Sequence, residues 1–411
     1  MGDRRWWSPE PDHSSREIPS EMLQEILLKV PAKDVARSCC VSRQWRRVAG
    51  DPSFRSLHTA SYVAPWADAE VLLVAQTSEP DEASVYSMSS GKPTAMCSVA
   101  IPSDYGLANV CNGLLCFVHR YEAAEPAVVC NPVTGEKLAL PRVPPLPTDC
   151  VFALGFSPPR REYKLFRLSP PFVDVYTLGD AGGWRQHTDL SLPRPDEIMD
   201  WPPQLIGGKL YLLTRDDRVL VVDVSTETCR TYHHPEHRTL PPFNYELFGL
   251  EPGALDDVVH LPHPPRVRRP FAMHPFELDG QPCFPVHATG YQRGVHFWVM
   301  SPPPEDDKQP QWDLRCSFEI NRLASHFGPS SAWVDDGEML CYMLGGTLYM
   351  YGMKAHSPPT SNHARWLEWD QRISLKEIPL WREPSVCRWN IYGGYRPTLL
   401  SPLVFTLPPS R

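Results

Sequence analysis

The sequence predicts a multidomain α+β protein, with a small helical module at its N-terminus and a long, mainly antiparallel β domain behind it. Apolar residues recur at helical spacing between residues 18 and 54, and with a period close to two beyond them. The 47 prolines among 411 residues also argue against a mainly helical chain, because an interior proline removes a helix hydrogen bond. The length suggests two to three folded units or one large repeat array.

Three helices are predicted in the N-terminal module. The first has Ser20 as its expected N-cap and is stopped by Pro31. The second is expected from about Ala32 to Cys39, and the third from about Ser42 to Ala49. Three helices in so short a stretch bury little surface, so the module needs further packing or a partner.

One apolar stripe runs along the first helix, and its members are Met22, Leu23, Ile26, Leu27 and Val30. This stripe has more large side chains than a three-helix module can cover. Two interpretations remain open on the pattern alone. Some of these side chains face the groove of a partner protein, or the stripe packs on the domain that follows.

The same residues carry a family resemblance. The following motif resembles the F-box over nearly its whole length: Ile18-Pro19-x-Glu21-Met22-Leu23-x-Glu25-Ile26-Leu27-x-x-Val30-Pro31-x-Lys33-Asp34-Val35-x-Arg37, then Val41-Ser42-Arg43-x-Trp45-Arg46, then Asp51-Pro52-x-Phe54. The sequence departs from the family pattern at Ser38, where Phe or Leu is common, and at Cys39, where a basic residue is common. Both departures are expected to weaken docking without abolishing it.

The resemblance implies a role for each matching position. Contact with a Skp-type adaptor is implied for Ile18, Pro19, Met22, Leu23, Ile26, Leu27, Val30 and Pro31. A place in the structural core of the F-box is implied for Val35, Val41, Trp45, Val48 and Phe54.

Beyond the helices, short apolar runs are bounded by turn residues. In the clearest unit Asn112-Gly113 introduces a strand over Leu114–Val118, a second strand follows over Ala127–Cys130, and Thr134-Gly135 makes a tight turn. Similar units of about 40–50 residues recur, which is typical of the four-stranded blades of a propeller. The closing segment, Tyr395–Phe405, is expected to supply a last strand that pairs with the first blade.

A second resemblance covers the first of these units. The stretch Asn131-Pro132-x-Thr134-Gly135-Glu136-x-x-x-Leu140-Pro141 is similar to the F-box-associated, kelch-like domains of plant F-box proteins. The predicted organisation is a flexible tail over 1–17, an F-box over 18–56 and a propeller-like domain over 60–407. A possible irregular insertion lies at 251–285, which is dense in Pro and His.

Charge, apolar stretches and cysteine content limit the classes of partner and the cellular compartment that we expect for this protein. A net charge of −8 argues against binding to nucleic acid, and the small cluster of Arg266, Arg268 and Arg269 is interpreted as part of a solvated loop. No apolar stretch is long enough to span a membrane, and the N-terminus does not resemble a signal peptide. The twelve cysteines are scattered and suggest neither a disulfide framework nor a zinc ribbon. We therefore expect an intracellular protein, cytoplasmic or nuclear.

Catalytic and cofactor motifs are not found in the sequence. There is no phosphate-binding loop, and Ser90-Gly91-Lys92 is more simply a hairpin turn. There is no Gly-x-Ser-x-Gly elbow. A metal site at His233, His234 and His237 is disfavoured, because Pro235 breaks any helix that would align them. No catalytic residue, metal or other cofactor is expected.

Both resemblances together imply the substrate-recognition subunit of an SCF-type ubiquitin ligase. In that interpretation the F-box docks a Skp-type adaptor, which connects it to a cullin scaffold, and the β domain binds a target protein that the sequence does not identify. Two alternatives remain: an F-box protein that uses its adaptor outside a ligase, and an enzyme built on the propeller, since a fold does not fix a function.

Overall fold

The structure of the chain, a computed structural model, divides into two compact units, Met1–Val63 and Ala64–Arg411. Each unit has its own set of buried apolar side chains. The structure describes residues 18–61, 70–89, 92–145, 150–189, 192–194, 198, 202–214, 218–233, 271–272, 275–278, 280–288, 294–301, 309–319, 331–334, 339–344, 347–355, 365–374 and 386–406.

The N-terminal unit is helical, and its described helices are α1 (Ser20–Leu27), α2 (Ala32–Ser38), α3 (Arg43–Gly50) and α4 (Pro52–Ser61). The three predicted helices are confirmed. Ser20, however, is the first residue of α1, and its N-cap is Pro19. The hydroxyl of Ser42 does cap α3, since it accepts a hydrogen bond of 3.2 Å from the amide of Trp45.

The fourth helix, α4, is not among the three predicted helices, although Asp51 and Pro52 signal its start in the sequence. The Asp51 carboxylate accepts hydrogen bonds from the amides of Ser53 (2.8 Å) and Phe54 (3.1 Å), as an N-cap does. Pro52 takes the first helical position, where a missing amide costs no helix hydrogen bond. The Ser53 hydroxyl, followed by the Phe54 amide, lowers the pKa of the Asp51 carboxyl group.

The core of the helical unit draws on several helices. Leu23 and Leu27 of α1, Val35 of α2 and Phe54 of α4 are each at most 1% exposed. Helix α3 packs against the other three helices. These buried side chains hold together a unit whose individual helices are too short to be stable alone in water.

The second unit is built from strands, and the described ones are β1 (Glu70–Ser78), β2 (Asp81–Ser89), β3 (Lys92–Val99), β4 (Tyr105–Cys111), β5 (Leu114–His119), β6 (Val128–Cys130), β7 (Lys137–Ala139), β8 (Val151–Ser157), β9 (Glu162–Ser169), β10 (Phe172–Thr177), β11 (Arg185–Thr188), β12 (Gln204–Ile206), β13 (Lys209–Leu213), β14 (Arg218–Asp223), β15 (Thr228–His233), β16 (Phe271–Ala272), β17 (Phe276–Leu278), β18 (Gln281–Ala288), β19 (Gly294–Met300), β20 (Trp312–Glu319), β21 (Ser331–Val334), β22 (Met339–Leu344), β23 (Thr347–Ala355), β24 (Arg365–Ser374) and β25 (Val386–Tyr395).

These strands form five sheets. Four sheets have four strands each, in the orders β25-β1-β2-β3, β4-β5-β6-β7, β8-β9-β10-β11 and β12-β13-β14-β15. The fifth has nine strands, because the antiparallel groups β16 to β20 and β21 to β24 are joined by parallel pairing of β20 with β24. This succession of antiparallel meanders confirms the predicted all-β, propeller-like domain.

Strands near the centre of the domain are buried on both faces. In β1, for example, Ser78 is the one exposed residue. Leu72 and Val74 of β1 share a core cluster with Leu115 and Phe117 of β5 in the next sheet. Burial against neighbouring sheets on both sides is the packing expected of propeller blades.

The C-terminal part of the chain closes the first sheet. Strand β25 pairs antiparallel with β1, and the pairing extends as far as Glu70 opposite Tyr395. The predicted closing strand, Tyr395–Phe405, is therefore wrong in position, because it overlaps β25 only at its first residue. Pro397 and Pro402 lie within it, and a residue without an amide hydrogen cannot donate to a ladder. The segment ends in a 3₁₀ turn, Pro402–Phe405.

The irregular insertion predicted for 251–285 does not extend as far as residue 285. Residues 251–270 lie outside the described part of the chain, as does the predicted tail 1–17. In contrast, β17 and most of β18 fall within 271–285 and are paired with each other. Phe284 of β18 is fully buried, and its ring lies 6.2 Å from that of Tyr211 in the preceding sheet.

Candidate functional site

Five large apolar side chains are exposed in the described part of the helical unit: Val41, Leu57 of α4, and three that lie on or just before α1. Met22 and Ile26 lie about one turn apart on α1 and are 56% and 45% exposed, and Ile18, just before the helix, is 38% exposed. We call these three residues the exposed apolar row. The other expected docking positions at the two ends of α1 are exposed or half-buried: Pro19, Val30 and Pro31.

Leu23 and Leu27 lie on a different face of α1 from the exposed apolar row. They are 0% and 1% exposed and belong to the core of the helical unit. The apolar residues that form one stripe in the sequence therefore lie on two faces of α1. One face is buried in the core and the other is exposed to solvent. In this conformation Leu23 and Leu27 stabilise the unit and are not accessible to a partner, so the two positions differ from what the family resemblance implies for them.

The residues expected in the structural core also differ in burial: some are buried, some are half-buried and one is exposed. Val35 and Phe54 are buried, and Trp45 and Val48 are half-buried. The prediction for Val41 is wrong, because its side chain is 66% exposed. Val41 lies in the turn that precedes the capped start of α3, outside any helix, so no neighbouring helix covers it.

The backbone beneath the exposed apolar row is held by a side chain of α3. The side-chain amide of Gln44 donates a hydrogen bond to the carbonyl oxygen of Ile18. A second side chain of α3, Arg46, holds the end of α2 instead, because its Nε donates to the carbonyl oxygen of Cys39 at 3.2 Å. The apolar side chains are therefore presented by an ordered backbone, which lowers the entropy that a binding partner must overcome.

Comparison with known proteins identifies both units. The family model for the F-box domain matches residues 16–57. The family model for the F-box associated beta propeller domain matches residues 68–247. The chain carries an F-box followed by an F-box associated β-propeller. The resemblance inferred from the motif residues is thereby confirmed.

Several relatives are plant F-box proteins of Arabidopsis thaliana. F-box protein At1g53790 is 31% identical over 165 residues, which are 36% of this chain and 36% of the relative. F-box protein At5g65850 is 30% identical over 242 residues, 54% of this chain and 58% of the relative. Putative F-box protein At1g33530 is 25% identical over 346 residues, 80% of this chain and 69% of the relative. The chain thus covers less than two thirds of the first two.

The two departures from the F-box pattern both lie at the end of α2. The Ser38 hydroxyl donates to the carbonyl oxygen of Val35 at 2.6 Å, and the Cys39 thiol lies 3.7 Å from the same oxygen. Both side chains are half-buried. Their hydrogen bonds are thus made within their own helix, which satisfies a carbonyl group near the helix end.

Inside the propeller, polar side chains connect the innermost strands. Asn109 of β4 donates to the Leu154 carbonyl (2.8 Å) and accepts from the Leu154 amide (2.9 Å), as a neighbouring strand would. The buried Tyr392 hydroxyl lies 3.1 Å from both the Val110 carbonyl and the Gln204 side-chain oxygen. Burial raises the pKa of the Tyr392 hydroxyl. These groups hold four sheets together and are used structurally.

Two thiols of the propeller, the buried Cys116 and the half-buried Cys97, are poor nucleophiles. Burial raises the pKa of Cys116 to about 12 and that of Cys97 to about 11, so both remain protonated near neutral pH. Within the described ranges no group of His, Cys, Asp and Glu side chains could hold a metal ion. His234 and His237 lie outside those ranges. In the same part of the chain, no helix is long and apolar enough to cross a membrane.

We expect the F-box to lose stability as the pH falls below about 6.5, the ordinary pKa of histidine. His58 of α4 is buried, and its Nε2 lies 2.8 Å from the Val30 carbonyl oxygen. Burial lowers the pKa of His58, and the carbonyl offsets only part of this effect. The unfolded state therefore binds more protons than the folded state, so stability is complete above pH 6.5 and is lost below it.

Hydrogen exchange of peptides from residues 20–61, corrected for intrinsic rates at each pH, measures this effect. The matched control is His58→Gln, whose amide can donate to the same carbonyl but does not titrate. Protection in the original protein should fall between pH 7 and pH 5.5 more steeply than in His58→Gln. Parallel profiles for the two proteins would show that His58 is not the titrating group.

Proposed function

We propose that this protein is the substrate-recognition subunit of an SCF-type ubiquitin ligase. Its F-box docks a Skp-type adaptor and, through it, a cullin scaffold, while the propeller binds the target protein. The chain itself contributes no catalytic group. Transfer is accelerated because the bound target is held close to the conjugating enzyme, at a high effective concentration.

The observation that carries the proposal is the exposed apolar row on the F-box. Exposed Met and Ile side chains one turn apart on an amphipathic helix are the usual anchors of helix-in-groove recognition. Because each is already about half covered, burying the rest of each side chain against a partner contributes about 1 kcal/mol. Exposed Val41 adds a further apolar side chain in the turn before α3, the helix whose Gln44 holds Ile18.

The propeller supports the second half of the proposal. Its sheets are closed by β25 and tied together by buried side chains such as Asn109 and Tyr392. Such a rigid platform suits a protein that must hold a target in a fixed place. The buried polar groups described at the inner strands are engaged with one another, which favours binding over catalysis in this domain.

Replacing Met22 and Ile26 by Asp in one variant should weaken adaptor binding at least about a hundredfold, because two buried anchors become charges in an apolar groove. Both residues are exposed, so the helical unit should remain folded. Titration calorimetry with a purified Skp-type adaptor measures the affinity, and far-UV circular dichroism checks the fold.

Two further variants separate docking from folding. Ala60→Asp adds a charge at an exposed position of α4 and should bind the adaptor as the original protein does. Leu23→Ala should instead destabilise the F-box by about 2–5 kcal/mol, since it leaves a cavity in the core. Unchanged adaptor affinity in the Met22→Asp/Ile26→Asp variant would refute docking through the exposed apolar row.

A reconstituted assembly distinguishes the ligase from the alternatives. The adaptor, a cullin scaffold, a conjugating enzyme and this chain should together transfer ubiquitin to lysines of the chain or of its bound target. Adaptor binding without transfer would favour an F-box protein that acts outside a ligase. An enzyme built on the propeller predicts neither result.

A further inference from the structure

One aromatic side chain of the propeller stands open to solvent. Tyr121 lies in the loop 120–127 between β5 and β6 and is 79% exposed. Its ring meets the ring of His119 edge-on at 6.2 Å, and His119 in turn meets Tyr105 at 5.3 Å. The remaining face of the Tyr121 ring is available to a partner, and exposed Tyr residues are frequent anchors of protein interfaces.

Tyr121 is presented by an ordered loop. The amides of Tyr121 and Glu122 donate to His119 Nδ1 at 3.3 and 2.9 Å. At the other end of the loop the Tyr105 hydroxyl donates to the Pro126 carbonyl at 3.1 Å. Because both ends of the loop are already held, little conformational entropy is lost when a partner binds to the ring.

Two neighbouring connections bring acidic residues to the same end of the propeller. The amide of Ser103 donates to the Asp81 carboxylate at 3.0 Å, which joins the β3–β4 connection to the β1–β2 turn. The amide of Arg120 donates to the Asp104 carbonyl at 2.9 Å, which joins the loop of Tyr121 to the same connection. Four exposed carboxylates of these segments are called the acidic rim: Glu79, Asp81, Asp104 and Glu122.

The charges of the acidic rim are not neutralised by ion pairs with the part of the chain that the structure describes. The basic groups nearby have other partners. Arg142 pairs with Glu125 at 3.3 Å, Arg120 donates to the Gln76 side chain at 2.9 Å, and Lys137 donates to the Ala100 carbonyl at 3.0 Å. An incoming cation therefore meets an aromatic face beside exposed carboxylates that form no ion pair within the described residues.

We propose that Tyr121 and the acidic rim form the target-binding surface of the propeller and that they recognise an extended, Arg- or Lys-containing segment of the target. A guanidinium or ammonium group stacks on the Tyr121 ring, and the neighbouring carboxylates attract the other cations of the segment. This inference rests on the proposed function, because it names the class of target that a recruiting subunit would bind.

Fluorescence anisotropy of two labelled peptides tests the inference with the full chain. The basic probe repeats Gly-Arg-Ser four times, and the acidic probe repeats Gly-Glu-Ser four times. The basic probe should bind more weakly as the salt concentration rises, and the acidic probe should not bind. Tyr121→Ala should weaken binding about fivefold, the upper end for one exposed cation–π contact, and Tyr121→Phe should retain it.

Charge reversal supplies the matched comparison. Glu122→Lys should weaken binding of the basic probe by about the same factor or more. Asp313→Lys, at an exposed position of β20 far along the chain, makes the same change in net charge and should leave binding within about twofold. Equal effects of Glu122→Lys and Asp313→Lys would show non-specific attraction to an acidic protein, and unaltered binding by Tyr121→Ala would also overturn the inference.

The test of this surface can fail or succeed independently of the test of the proposed function. Tyr121 and Glu122 lie outside the F-box, so their variants should bind a Skp-type adaptor with the original affinity. Adaptor binding without binding of the basic probe would refute this surface alone. Binding of the probe by a chain that does not bind the adaptor would refute the ligase proposal alone.

Discussion

Replacing Asp174 by Ala is expected to destabilise the propeller by about 3–5 kcal/mol, the cost of leaving a buried charge without its partner. Arg167 of β9 and Asp174 of β10 are 0% and 1% exposed. Arg167 reaches Asp174 Oδ2 with Nε at 2.9 Å and with Nη2 at 2.8 Å. Its Nη1 donates to the Pro144 carbonyl at 2.7 Å, and Gln186 donates to the other Asp174 oxygen at 3.0 Å.

A double variant tests whether the loss comes from the unpaired charge or from packing. Arg167→Met/Asp174→Leu removes both charges and keeps apolar volume, so it should recover most of the stability that Asp174→Ala loses. Urea unfolding followed by tryptophan fluorescence measures both variants. A double variant as unstable as Asp174→Ala would mean that the hydrogen bonds to Pro144 and Gln186, rather than the isolated charge, dominate this site.

The turns and helices of this protein could be predicted because their signals are local. Asn112 and Gly113 both adopt positive φ, 46° and 80°, in the turn between β4 and β5, as expected for Asn-Gly in a hairpin. Gly135 also has a positive φ, 71°, in the predicted Thr134-Gly135 turn. The start of α4 has an equally local signal in Asp51-Pro52, an N-cap residue followed by a proline at the first helical position.

The candidate site was predictable only in part, because exposure depends on contacts distant in the chain. Met22 and Leu23 are both apolar and adjacent, and only the packing of α1 against α3 separates an exposed side chain from a core side chain. The exposure of Val41 depends in the same way on which helices lie nearby. Residue type and spacing show that a stripe is apolar, but they do not show which of its side chains are covered by neighbouring helices.

The buried charges were unpredictable for a related reason. Lys164 and Arg167 are charged residues on a strand, which a sequence pattern assigns to solvent, yet both are 0% exposed. Lys164 is paired at 2.8 Å with Glu227, which lies in the turn between β14 and β15 of the next sheet. A partner that is distant in sequence cannot be inferred from periodicity, so such residues look like surface positions until the sheets are assembled.

Substitution of Gly113 by Ala should destabilise the propeller more than the same substitution at Gly135. Both glycines have positive φ, 80° and 71°, so each alanine variant has a similar backbone cost of about 1–2 kcal/mol. A Cβ atom on Gly113 would also lie 2.4 Å from Thr398 Cγ2 and 2.6 Å from the Arg396 carbonyl oxygen, whereas one on Gly135 meets nothing within 4 Å. The clash should add about 1–3 kcal/mol.

If the clash at Gly113 is the cause of the extra destabilisation, its effect should appear in the segment that Gly113 contacts. Residues 396–406 lie against the turns of the second sheet, where the Asn131 side chain donates to the Thr398 and Leu400 carbonyls at 2.9 and 2.7 Å. Gly113→Ala must move this segment, so hydrogen exchange should accelerate over 396–406, and Gly135→Ala should leave exchange there unchanged. Equal unfolding free energies and equal exchange in the two variants would show that the segment yields at no cost, and that its contacts with Gly113 do not secure the C-terminal end of the propeller.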